Sequence, residues 1–194
     1  VAGQFNLLGT DLWGPAFFLF ASFWAYYHLV KQHYGFMILY KKKNNDLAEI
    51  DNLIDRAFLL LGMTYPFVRF LTHSQAAKER IEGLGFRADA DAFWWFETPL
   101  FSAFIISLVL YAGRQVQRLY TGHPLNVPKL LLLAACLPMH WIVLRYLEPV
   151  QPPAAAALAA VATLTIYHNI QYHRIIWFHN RNKYTHGDAS KYGA

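Results

Sequence analysis

Charge is what this sequence has least of. Asp, Glu, Lys and Arg make up 15% of its 194 residues, against about 25% in an average soluble domain. Whole stretches carry none: nothing between Asp11 and Lys31 is charged, and 25 residues in a row are uncharged between Glu148 and Arg174. A run of about 18 or more apolar residues is long enough to cross a hydrocarbon core of about 30 Å as a helix. Cysteine is nearly missing as well. Cys136 stands alone, which excludes an internal disulfide and an all-cysteine zinc or iron–sulfur site. Neither GxxxxGK[ST] nor GxGxxG occurs, so the glycine-rich phosphate loops are excluded too. Alternating strand patterns are lacking, which argues against a closed membrane barrel. The chain begins with Val1, as a processed chain or part of a longer one would.

What is present is apolar: 56% of the residues are hydrophobic and 17% aromatic. The pattern predicts an all-α, polytopic transmembrane bundle forming one domain over residues 1–194, with about five spans. These are placed at 13–34, 53–71, 92–113, 128–144 and 153–178. Pro15 and Pro153 sit near span starts, where a missing N–H costs little; Pro66 and Pro138 fall inside spans and predict kinks. The second span is the weakest, with Arg56 and Arg69 near its ends. A short amphipathic surface helix is expected in the polar loop 72–91.

The net charge of +5 becomes informative once each cation is placed. Eleven Lys and Arg residues, Lys31, Lys41–Lys43 and Arg114 among them, fall on the side where the first span ends. Four fall opposite: Lys78, Arg80, Arg87 and Arg145. By the positive-inside rule the N-terminus is outside and the C-terminus cytoplasmic. The expected location is a bacterial inner membrane, with lipids as partners. The basic residues are explained by retention at the cytoplasmic side and not by nucleic acid. Phe93–Phe96 reads as part of the aromatic belt at an interface.

Nine histidines stand out against this background. His73, His123 and His186 fall in or near loops or the tail and read as ordinary exposed histidines. The others lie in or at the ends of spans, where an ionisable residue is expensive and points to function. A motif recurs: Tyr27-His28-x4-His33 in the first span and Tyr167-His168-x4-His173 in the fifth. Both helices run outside to inside, so His28, His33, His168 and His173 are expected at similar depth near the cytoplasmic face, as metal ligands. Residues five apart lie about 140° apart around an ideal helix, so one ion cannot take both members of a pair without a bulge or a frayed end. His179 lies on nearly the face of His168. Asp55, with Asp51 one turn before it, enters from the same side and is a candidate carboxylate ligand or histidine orienter, or else a salt-bridge partner. Glu97 and His140 are expected together in an outer polar cluster with Arg145, as lesser candidates for a metal role.

Histidines clustered at the cytoplasmic ends of membrane helices resemble those of the integral-membrane histidine-box oxygenases: fatty-acid desaturases, alkane hydroxylases and the bacterial carotene-cleaving membrane dioxygenases. The resemblance rests on His28, His33, His168 and His173. It implies a non-haem iron site that activates O2 against a lipid-soluble substrate, in a dry cavity the protein supplies. Copper is an alternative metal. Two other readings stay open: a carrier of b-type haem or pigment, and an accessory subunit of a larger membrane complex with its histidines buried and hydrogen-bonded.

Overall fold

The computed structural model describes residues 13–75, 78–79, 82, 85, 94–147 and 153–185. Among them there are five long helices and no strand: α1 (Trp13–Lys43), α2 (Glu49–His73), α3 (Trp94–Tyr120), α4 (Val127–Leu147) and α5 (Pro153–Thr185). The all-α class and the position of each helix agree with the apolar runs. The helices outrun the predicted spans, by nine residues at the end of α1 and seven at the ends of α3 and α5. The membrane boundary was read from charge, but Lys, Arg and Gln are good helix formers and continue a helix past it. Most of loop 72–91, with its expected surface helix, lies outside the described residues.

Among the described residues, two helices, α3 and α4, are both long enough and apolar enough to cross a bilayer. α1, α2 and α5 have 31, 25 and 33 residues and are long enough.

α2 and α4 form the middle of the bundle. α2 packs on α1, α3 and α4; α4 packs on α1, α2 and α5. The core runs along this seam through Phe58, Leu59 and Met63 of α2 and Leu133, Cys136 and Leu137 of α4. At Gly62 the two helices come close enough that a Cβ would meet Leu137 Cδ2 at 2.9 Å. Pro66 has no N–H to offer the Gly62 carbonyl one turn back. The indole Nε1–H of Trp141 supplies that bond at 2.8 Å. Beside it, the Tyr26 hydroxyl donates to the Met63 carbonyl at 2.7 Å.

One end of the bundle is fixed by two matching turns. α1 stops at Asn45 in the left-handed region (φ 51°), with Asp46 N–H returning to Lys41 O at 2.9 Å. α3 stops at Gly122 (φ 73°), with His123 N–H returning to Arg118 O at 2.9 Å. Both are Schellman-type ends, and Asn and Gly are the residues that tolerate that conformation. The outward surface is strongly apolar. Phe20 and Trp24 on α1, Ile106 and Val109 on α3, Leu131 on α4, and Leu158 and Ile170 on α5 are all exposed.

Candidate metal centre

Three imidazoles meet inside the bundle, one each from α1, α4 and α5. His33 and His140 are fully buried, and His168 is nearly so. His33 stands between the other two: its ring centroid is 5.4 Å from that of His140 and 5.4 Å from that of His168. Aromatic rings enclose them. Tyr26 meets His140 edge-on, Phe36 stacks on His168, and Tyr167 stacks on His33. α1 and α5 thus touch through these side chains.

The hydrogen bonds fix the chemistry of two of the rings. His33 Nδ1 lies 2.9 Å from Leu29 O, and His140 Nδ1 lies 2.7 Å from Cys136 O. A carbonyl can only accept, so Nδ1 carries the proton in both rings. Nε2 is then left as a lone pair in a neutral imidazole. Neither Nε2 has a hydrogen bond of ordinary geometry, nor do His168 Nδ1 and Gln171 Oε1, although the Gln171 amide faces His33 as a side-chain hydrogen-bonding neighbour. Buried polar atoms are normally satisfied, so four orphans in one region call for an explanation. Metal-ligating histidines commonly donate the other ring N–H to a carbonyl. As the side chains stand, no group of three or more His, Cys, Asp or Glu among the described residues is arranged to hold a metal ion. Ligation at about 2.0–2.1 Å would require the rings to turn toward a common point.

A second buried polar layer lies toward the end carrying the two Schellman turns, about 12 Å down α1 from His33 to Lys41 at helical rise. Here everything is paired. Asp55 takes ion pairs from Lys41 and from Lys129, the latter at 3.0 Å. Lys129 also reaches Asp46 at 3.0 Å, and Arg118 closes on Asp46 from α3. Arg114 holds Asp51 at 2.5 Å, and Asn126 bridges Asn44, Tyr40 O and Asp46. Burial works to raise the Asp46 pKa, but hydrogen bonds and charge from Arg118 and Lys129 outweigh it and hold the carboxyl down at about 2. At the opposite end Glu97 accepts bonds from Arg69 at 3.3 Å and Thr72 at 3.2 Å, with His73 close by.

The candidate residues therefore separate. Of each repeated motif one histidine faces inward: His33 is buried while His28 is exposed and bonded to Gln32. His168 is buried while His173 is exposed, as is His179. The 140° separation dictates this, but the two motifs are used out of register, the second histidine of one meeting the first of the other. The site also lies well up the bundle from the basic end. Asp55 and Asp51 are held by the lysines and arginines. His140, expected with Glu97 and Arg145, packs instead against His33, and Glu97 pairs with α2. Lys129 and Lys41, both fully buried, were not singled out from sequence. A signal for Lys129 existed: Lys129, Leu133, Cys136 and His140 follow helical spacing on one buried face of α4.

Comparison of the chain with protein-family models, with curated proteins and with solved structures finds no match.

Proposed function

We propose that this chain is a multi-pass integral-membrane protein that binds a transition-metal ion at His33, His140 and His168. It uses that ion in oxidoreductase or oxygenase chemistry on a lipid-soluble substrate. The observation that carries this reading is the set of unpartnered ring nitrogens gathered from three helices into one buried layer. The apolar outward surface supports the membrane part, because side chains such as Phe20, Trp24, Ile106, Leu131 and Ile170 are suited to acyl chains and not to water. A lipid-soluble substrate is the natural partner of a site enclosed by Tyr26, Phe36 and Tyr167. Haem fits less well, since imidazoles in direct ring contact leave no plane between them for a macrocycle.

Elemental analysis of the detergent-purified protein tests the site. Wild type and His28→Ala are expected to carry stoichiometric metal, and His168→Ala to lose it while still eluting as a folded species. Absence of metal from the wild type, purified from metal-replete cells, would sink the reading and leave the accessory-subunit alternative.

A further inference from the structure

Pairing every group of the second polar layer does not balance its charge. Four cations, Lys41, Arg114, Arg118 and Lys129, meet three carboxylates, Asp46, Asp51 and Asp55. The deep part is neutral, because Lys41 and Lys129 are matched by Asp55 and Asp46. The excess positive charge therefore falls at the rim, where Arg114 and Arg118 share Asp51. Their guanidinium groups converge on one oxygen, Asp51 Oδ2, at 3.3 and 3.4 Å.

A cavity of about 390 Å³ opens on this arginine pair, with Thr121 and His123 also on its wall. Arg118 Nε is buried there without a partner. Leu47 and Ala48 line the cavity too and bring the start of α2 to it. Ala48 makes no side-chain capping bond, and the first N–H groups of a helix lack intrahelical acceptors. The positive end of the α2 dipole thus adds to the arginines. Asp46 and Asp51 border the same cavity, but each is already met by two cations, so their charge is spent inside the network.

We propose that this cavity binds a phosphate group, carried by an anionic lipid headgroup or by a soluble phosphate. Guanidinium groups match phosphate oxygens in pairs, and an uncapped helix start is itself suited to the same anion. Basic pockets at the ends of membrane helices hold anionic headgroups in this way. Val116 and Leu119, exposed on α3 beside the arginines, are suited to the acyl chains of such a lipid. The lipid source rests on the multi-pass membrane reading; the soluble source does not, and neither involves the histidine layer.

The test uses the full chain in detergent, stripped of bound lipid. Binding is titrated with inorganic phosphate, and with phosphatidylglycerol and phosphatidylcholine in mixed micelles. One phosphate group per chain is expected to bind saturably and more weakly as salt rises, with phosphatidylcholine, which carries its own cation, bound least. Arg114→Gln should lower the affinity about 10-fold or more, the worth of one charge-assisted contact. Since that change also frees Asp51, Thr121→Asp serves as a second variant. It breaks no ion pair, sets a carboxylate at the rim, and should weaken binding with Tm unchanged. Lys31→Gln, which removes an exposed cation on α1, should leave binding as it is. Phosphatidylglycerol held in preference to inorganic phosphate assigns the site to a headgroup, and the reverse assigns it to a soluble phosphate. Saturable binding of neither overturns the proposal, as does an affinity that Lys31→Gln lowers as much as Arg114→Gln. Such a failure leaves the membrane and metal readings standing, since neither probe reports on them.

Discussion

Two polar layers are buried in the same bundle, and they are completed in opposite ways. In the lower layer each carboxylate has two or more donors: Asp55 has Lys41 and Lys129, Asp46 has Arg118, Lys129 and Asn126, and Asp51 has Arg114 and Arg118. These contacts join residues of α1 to α4 and the turns between them. In the upper layer His33, His140 and His168 each retain a buried nitrogen with no partner. The difference teaches how to separate structural from functional polarity. A network that saturates itself needs nothing more than its own side chains, whereas one left open invites a ligand.

The largest effect is expected where the closed layer is opened. Asp55→Ala leaves Lys41 and Lys129 buried without their common counter-ion, and breaking a buried pair in this way costs about 3–5 kcal/mol. Thermal unfolding in detergent should show a large drop in Tm or loss of folded protein. A Tm close to wild type would mean that water reaches the two lysines. Acid attacks the same layer more gradually. Asp46 has its folded pKa held down at about 2, below the ordinary value of about 3.9 for an unfolded Asp. Its contribution is therefore fully present above pH 4 and lost as pH falls toward 2. Tm measured from pH 5 to pH 2 should decline across that window, and Asp46→Asn should flatten the part of the decline that Asp46 carries.

Trp141→Phe is expected to have a smaller effect. It removes the donor that replaces the backbone bond Pro66 cannot make, leaving Gly62 O unsatisfied. The cost should be about 1–3 kcal/mol, read from the same unfolding curves. Restoring a backbone donor with Pro66→Ala in the Trp141→Phe background should recover part of it.

How much of this was legible beforehand depends on which contacts decide each residue. The helices were legible because apolar runs and their bounding charges are local signals. His33 and His168 were legible because the Tyr-His-x4-His pattern occurs twice in a chain with few charges. That only one of each pair turns inward also followed from helical geometry, but which one did not. The choice is made for His33 by Tyr167 and His140, and for His168 by Phe36, which arrive from other parts of the chain. His140 was assigned to the wrong neighbours because depth alone says nothing about facing. Asp55 had two readings from sequence, and the two lysines that hold it come from positions 14 residues before it and 74 after. Neither is visible in a local window.

The smallest change in stability is expected in the open layer, although it carries the proposed chemistry. Replacing His33, His140 and His168 together by Leu removes three groups whose free nitrogens gain nothing from hydrogen bonding inside the protein. Each imidazole is exchanged for an apolar side chain of comparable size, and swaps of that kind cost about 1.5 kcal/mol or less. Losing the Nδ1 bonds to Leu29 O and Cys136 O is offset because removing an unsatisfied buried polar atom is favourable. The triple variant should thus fold with a Tm near that of the metal-free wild type and bind no metal, while wild type alone gains stability when metal is added, by an amount set by affinity and free concentration. A triple variant that unfolds as readily as Asp55→Ala would show that the histidines, like the lower layer, hold the helices together. A metal-dependent rise in Tm in wild type and its absence in the variant would tie the open layer to ligand binding and leave the closed layer as the scaffold.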